Sequence, residues 1–274
     1  MSTVQPDRSP FTQLDQMSQE MRDSVIAALD GMAADPQIQR VRARALDALR
    51  PAPGQRLLDV GCGGGEVARG LAAYAAPTGH VTAVDLAEAV VEIARSRDDG
   101  SHVTYEVGDV QKLGYPDGSF DGARTERVLQ HVADPDAAVA ELVRVTRSGG
   151  RVCLIDTEWD SLQFDGLPLE LVGAMRQTLL GGVMLHHTDM GRTLRRRLVR
   201  AGLTEVACEP VPLWWTDPAK AAVVLPMVSR HLPKKAGIIP AELQKSWFEA
   251  VDEAAGRDEF LAHLTIWVAV GVVR

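Results

Sequence analysis

Residues 57–65 read Leu57-Leu58-Asp59-Val60-Gly61-Cys62-Gly63-Gly64-Gly65, and this stretch decides the fold. An apolar strand runs into a glycine-dense turn, and a helix-like segment follows. Glycine lacks a Cβ, so the backbone of such a turn can take positive φ and approach a ligand closely. The segment therefore reads as a nucleotide-binding turn.

Around it, strands and helices alternate. The pattern predicts strands at 55–60, 80–85, 102–107, 119–125 and 150–156, with helices at 65–75, 87–97 and 136–147. Alternation at this spacing implies an α/β fold with a parallel sheet and helices on both faces. Ligands then bind at the carboxyl ends of the strands, near the switch in strand order.

The flanks differ in character. Residues 1–16 are polar and read as a mobile segment, while 17–33 and 38–49 carry helical periodicity. In the second, Ile38, Val41, Ala45, Leu46 and Leu49 recur at helical spacing, and Pro51-Ala52-Pro53-Gly54 breaks the helix. After 157, helices are expected at 168–180 and 189–201, and strands at 204–210 and 262–273. Residues 211–260 read as a helical insertion covering the mouth of the site. No internal repeat is evident.

Bulk properties narrow the function. The chain has 274 residues, 46% of them hydrophobic, and a net charge of −8. That suffices for one sizeable domain. Arg195-Arg196-Arg197, the densest basic run, falls on an amphipathic helical face, so no basic footprint for nucleic acid is present. Cys62, Cys153 and Cys208 are odd in number and widely spaced, which argues against a disulfide framework and against a zinc site. No metal is expected. Neither a signal peptide nor a membrane-length apolar run is seen, so a cytoplasmic protein without membrane attachment is expected.

Four segments fall at successive strand ends. The first is the glycine turn. The second is Asp85, closing Val81-Thr82-Ala83-Val84-Asp85, where a carboxylate can accept from both ribose hydroxyls. The third is Gly108-Asp109-Val110, placed to reach an adenine amine. The fourth runs from Phe120-Asp121-Gly122-Ala123-Arg124-Thr125-Glu126 to Val128-Leu129-Gln130-His131. Gly63-Gly64-Gly65-Glu66-Val67-Ala68 also fits the loose dinucleotide pattern. Against a nicotinamide enzyme, Tyr74, Tyr105 and Tyr115 are followed four residues on by Thr78, Asp109 and Ser119, so no Tyr-x-x-x-Lys pair exists. No Gly-Lys-Ser/Thr follows the turn, which argues against phosphoryl transfer.

Taken together with Arg144-Val145-Thr146-Arg147-Ser148-Gly149-Gly150-Arg151-Val152, these segments resemble the class I S-adenosylmethionine-dependent methyltransferases. The resemblance covers about residues 38–157 and is closest to the small-molecule enzymes related to the ubiquinone/menaquinone C-methyltransferases and to bacterial natural-product tailoring enzymes. Gly64 stands where Thr is common in the turn, and Ser148 where Pro is common. The resemblance implies a Rossmann-like, mostly parallel sheet with an antiparallel last strand, N-terminal helices, and a helical cap before the last strand. It divides one domain into an N-terminal helical lid at 1–50, a cofactor-binding core at 51–157, and an acceptor-binding cap with the final edge strands at 158–274.

Carried over by position, the resemblance implies that Asp59, Gly61, Cys62 and Gly63 hold the methionine end of S-adenosylmethionine. Asp85 holds the ribose with Leu86 against the adenine, and Gly108, Asp109 and Val110 serve the adenine edge. Arg124 and Thr125 lie beside the sulfonium, and Arg42 can reach the cofactor carboxylate. The product would be S-adenosylhomocysteine.

Methyl transfer is a direct displacement, so the protein mainly aligns the reactants and excludes water. A base is required only where the acceptor keeps its proton. His131, after the fourth strand, and Glu158, after the fifth, are the candidate bases. All five tryptophans lie beyond the core. Trp159, Trp214, His186 and His187 are candidate contacts for a small, cyclic or aromatic acceptor. A monomer or homodimer is expected. The competing readings are a cofactor-binding regulatory or assembly protein on the same fold and, more distantly, an NAD-dependent oxidoreductase.

Overall fold

The glycine-turn strand sits at the switch in strand order. In the computed structural model, which describes residues 15, 18–181, 185–230 and 238–274, β1 (Arg56–Val60) pairs in parallel with β2 (His80–Asp85) on one side and β4 (Phe120–Glu126) on the other. β2 carries β3 (Val103–Val107), also parallel. Beyond β4 comes β5 (Thr146–Asp165), parallel, then β7 (Leu261–Val272), antiparallel, with β6 (Thr204–Trp215) at the edge. The order is β3-β2-β1-β4-β5-β7-β6. Chain connections diverge on either side of β1, which opens a crevice at the carboxyl ends of β1 and β4.

Both faces of the sheet are covered. Residues 57–60 of β1 are all buried, as expected of a central parallel strand. α2 (Pro36–Leu49), α3 (Glu66–Ala75) and α4 (Glu88–Ser96) cover one face, packing Ile38, Val41, Leu71, Ala72 and Val91 with Leu57, Val81 and Cys153. α5 (Pro135–Val145) and α7 (Met190–Arg200) cover the other, packing Leu142, Leu194 and Leu198 with Leu58, Val60, Ala123 and Leu154.

The helix ends follow local chemistry. Asp35 accepts from the Gln37 and Ile38 N–H groups, and Pro36 opens α2. Asp134 caps α5 in the same way, ahead of Pro135.

β5 and β6 run further than the sequence patterns predict. β5 spans 20 residues and crosses position 157, with a register shift between Glu158 and Gln163. β6 continues through Pro210 and Pro212 to Trp215, into the stretch expected to be a helical insertion. An edge strand tolerates proline because the missing N–H faces away from the ladder. Val211, Leu213 and Trp215 alternate inward beyond them.

The cap therefore shares its sheet with the core. α6 (Leu169–Leu180), α8 (Pro218–Val224) and α9 (Gln244–Gly256) contribute Met175, Val224 and Trp247, which pack with Leu162, Phe164 and Leu264 of the extended strands. Trp247 meets Phe164 edge-on at 5.4 Å between centroids, and its Nε1 donates to the Met227 carbonyl.

α1 (Gln19–Ala34) ties the N-terminal region to the strand ends. Gly31 lies so near α8 that a Cβ there would stand 3.2 Å from Val223. Asp30 makes a two-pronged pair with Arg97, at 2.6 and 2.8 Å. Asp15 accepts from the Glu88 and Ala89 N–H groups in the first turn of α4. The expected mobility of 1–16 falls, Asp15 apart, outside the described residues. Among the described residues no helix is long and apolar enough to cross a membrane.

Candidate active site

Two glycines of the turn serve different ends. Gly61 and Cys62 N–H groups both donate to the Val84 carbonyl, which pins the turn to β2. Gly61 has φ 76°, and a Cβ there would stand 2.1 Å from Val128 Cγ2. Gly63 has φ 52°, and the space its Cβ would fill is empty for 4 Å. That is the open cradle a ligand backbone contact needs. Cys62 is buried, and burial pushes its thiol up, so it stays neutral.

Asp85 holds this turn directly. Its Oδ2 accepts from Gly63 N–H at 3.0 Å and its Oδ1 from Ala87 N–H at 3.2 Å. Burial raises its pKa, against the lowering effect of those N–H groups. Leu86 is 44% exposed, an apolar surface left open beside that carboxylate. Gly108 N–H donates to the Asp85 carbonyl, so the β3 end is tied to the β2 end. Asp109 Oδ1 accepts from Gln111 N–H at 2.8 Å, and Val110 is buried behind it.

Asp59 and Arg124 sit side by side on one face of β1 and β4. Arg124 Nη1 lies 3.3 Å from Asp59 Oδ1, and its Nη2 donates to Glu126 Oε2 at 2.6 Å. Arg42 reaches in from α2, with Nε 3.2 Å from both Glu126 oxygens and Nη1 3.2 Å from Glu66. Burial alone would raise Glu126, but Arg42, Arg124 and Arg127 outweigh it and draw its pKa down to about 2. For Asp59 burial wins over Arg124 and the pKa is raised. Arg42 and Arg124 are thus both engaged with carboxylates.

Two buried oxygens nearby lack a partner: Asp59 Oδ2 and Thr125 Oγ1. An unsatisfied buried polar atom is costly and marks a site that a ligand completes. An ammonium suits Asp59 Oδ2, and a hydroxyl can accept or donate at Thr125. With the Gly63 cradle, the Asp85 carboxylate and the open Leu86 surface, the donor set fits an adenosine bearing an amino-acid tail.

The acceptor candidates gather around Gln130, a residue that motif reading passed over. Its Oε1 accepts from Trp159 Nε1 at 2.7 Å, and its carbonyl accepts from His186 and His187 N–H groups. Trp159 is buried. His131 follows directly, its N–H donating to the Val128 carbonyl. The His187 Nε2 lies 3.1 Å from the Val132 carbonyl, and burial lowers its pKa despite that contact. Residues 182–184, just before this segment, lie outside the described residues. Two candidates are placed apart. Glu158 accepts from the Arg192 N–H at 2.8 Å and pairs with its guanidinium, so it holds the first turn of α7. Trp214 lies on edge strand β6, with its N–H donating to Gln37 and Arg40 stacked 4.9 Å from its ring.

Asp156 is also absent from the sequence reading. It is fully buried at the β5 end and accepts from the Gln130 and Thr157 N–H groups. Burial raises its pKa to about 7 over those opposing bonds. The signal was an acid closing the apolar run Val152–Ile155, but many such acids only cap the next element. Because the folded form binds the proton more tightly than the unfolded chain, this group removes stability as pH rises from about 4 towards 7. Asp156→Asn keeps the shape, loses one acceptor and cannot ionise. Its melting temperature should fall below the native protein's at pH 5, and the gap should close or reverse at pH 8. A gap independent of pH would show that Asp156 is ionised throughout.

Fold and turn together define a class: an open α/β sheet whose switch point suits an adenosine with a charged tail. Residues 58–154 match the methyltransferase domain family. Over 248 residues the chain is 36% identical to an uncharacterized 37.1 kDa protein in transposon TN4556 of Streptomyces fradiae, covering 89% of this chain and 70% of that one. Over 115 residues it is 35% identical to the ubiquinone/menaquinone biosynthesis C-methyltransferase UbiE of Burkholderia cenocepacia, a match spanning 40% of this chain and 47%, about half, of that protein. The crystal structure of the [4+2]-cyclase SpnF superposes with a TM-score of 0.59 at 22% identity, over 94% of this chain and 97% of that one, a likeness of fold. The chain belongs to the class I S-adenosylmethionine-dependent methyltransferases. Among the described residues no cluster could hold a metal ion.

Proposed function

We propose that the chain methylates a small, cyclic or aromatic metabolite in bacterial secondary metabolism, acting in the cytoplasm as a monomer or homodimer. The observation that carries the small-acceptor reading is the enclosure of the strand ends. α1 closes over the glycine turn through Asp30 and Arg97, and the segment bearing His186 and His187 is bonded down onto Gln130. Among the described residues these contacts narrow the approach to the strand ends, which favours a small acceptor over a polymer. The net charge of −8 also disfavours nucleic acid. Support for a cyclic acceptor comes from the names of two similar proteins, one of quinone biosynthesis and one a [4+2]-cyclase.

The cofactor supplies a methyl group on positively charged sulfur. The chain's residues do the rest. Asp59 takes the ammonium of the methionine tail, Gly63 lets the tail approach the backbone, and Asp85 fixes the ribose. Thr125 Oγ1 offers a hydrogen bond beside the reacting end. α1 and the 185–188 segment exclude water. His131 is the candidate to take a proton from an acceptor that arrives protonated, whereas Glu158 is occupied with α7.

Calorimetry with S-adenosylhomocysteine tests the cofactor site, and saturable binding at micromolar ligand is expected. Absence of binding at high micromolar concentration would sink the reading. Labelled cofactor incubated with a metabolite extract then tests transfer, where a labelled small product is expected and a label confined to cofactor would point to a non-catalytic binder.

A further inference from the structure

Arg127 is the first residue after β4 and stands in the left-handed region, with φ 56°. Its N–H donates to the Ile155 carbonyl at 2.7 Å, which ties its backbone to β5. Its guanidinium is poorly satisfied. Nε is buried with no hydrogen-bond partner. Nη1 meets the Met32 sulfur at 2.9 Å. The nearest carboxylate, Glu126, is 3.9 Å from Nε, and that carboxylate already serves Arg42 and Arg124. The next acid, Asp156, spends both oxygens on backbone N–H groups.

A thioether is a weak acceptor, and arginine cannot shed its charge. A largely buried guanidinium facing sulfur is therefore an incomplete pair. Met32 is also the side chain that yields most readily, being unbranched and flexible. It belongs to α1, the element that closes the site. A ligand oxyanion arriving there would displace the sulfur and make charge-assisted bonds.

We propose that Arg127 binds the acceptor, and that the acceptor carries an anionic oxygen, a carboxylate or an acidic phenol, which replaces Met32 on the guanidinium. This rests on the methyltransferase reading of the same site and names its substrate class. An ionised acceptor also reduces the demand for a general base, consistent with Glu158 being held by Arg192.

The test uses the protein saturated with S-adenosylhomocysteine and titrated with benzoate and 4-hydroxybenzoate against benzamide and 4-hydroxybenzamide. The carboxylates should bind at least about tenfold more tightly than their amides. Arg127→Gln should bring each pair within about twofold, while Arg127→Lys keeps a reduced preference. S-adenosylhomocysteine affinity should stay within about twofold in both variants. Equal binding of acid and amide by the native protein, or binding of neither, overturns the proposal. So does a tenfold loss of S-adenosylhomocysteine affinity in Arg127→Gln, which would give the cation to the cofactor's own carboxylate. Failure of S-adenosylhomocysteine to bind the native protein defeats the cofactor reading as well, so the two failures are separable.

Discussion

Asp85→Ala is expected to weaken S-adenosylhomocysteine binding by about 100-fold while the protein stays folded. Two losses combine. The ribose loses a charged acceptor, and hydrogen bonds to charged groups contribute about 1.5–3 kcal/mol each. The turn loses its clamp, because Gly63 and Ala87 N–H groups both donate to this carboxylate. About 3 kcal/mol in total corresponds to roughly 100-fold in affinity. The turn retains the two bonds from Gly61 and Cys62 to the Val84 carbonyl, so the sheet should survive. Asp85→Asn should fall between, since an amide offers one acceptor and sets an NH2 against a backbone donor. Calorimetry reads the affinity, and thermal melting of the free protein reads the fold. Unchanged affinity in Asp85→Ala with an intact fold would refute the ribose assignment.

The cofactor half of the site was legible because it is built from backbone. A glycine turn, an acid at the β2 end and Gly108-Asp109 at the β3 end are local patterns, and topology alone brings them together. The parallel core was readable for the same reason, each strand being a short apolar run between breakers. The length of β6 was hidden because Pro210 and Pro212 signal a break unless the strand is known to be an edge. The partners of Arg42, Arg124 and Glu158 were hidden because a long charged side chain does not declare its mate. Arg42 meets Glu126 across 84 positions, and Glu158 meets Arg192 across 34. Gln130 and Asp156 gain their meaning only when β4 and β5 end side by side.

This difference also explains why the acceptor's identity resists motif reading. The methyl donor is held by groups whose geometry the fold dictates. In the proposed reading the acceptor side is assembled from side chains on α1, the β4 and β5 ends and the 185–188 segment, and a change in any one redraws it. Trp159 and Trp247 show the point, since both sit buried with their indole N–H groups bonded to Gln130 and Met227. Their placement beyond the core reflects the packing of the cap as well as any contact with ligand.

The ion cluster linking the two halves gives the largest expected effect on stability. Glu126 is the only carboxylate within ion-pair distance of Arg42, Arg124 and Arg127 together, among the described residues. Its side chain is 8% exposed, and that of Arg124 is 4% exposed. Removing a shared buried partner strands charge where water cannot reach it, at about 3–5 kcal/mol. Glu126→Gln should therefore lower unfolding free energy by about that amount at pH 7, and Glu126→Ala by at least as much. The native protein's advantage should depend on pH in a defined direction. The folded pKa, about 2, is below the ordinary 4.5 of the unfolded chain. The stabilisation is fully present above pH 4.5 and is lost as pH falls towards 2. Denaturant unfolding of native and Glu126→Gln protein at pH 7 and near pH 3 should show the difference shrinking by about half. Arg127 should behave differently in the two proteins as well. With Glu126 gone, its guanidinium has even less to face than Met32, and an added carboxylate such as benzoate should stabilise the variant more than it stabilises the native chain. A Glu126→Gln protein as stable as the native one at pH 7 would mean that water, and not Glu126, balances the three guanidiniums.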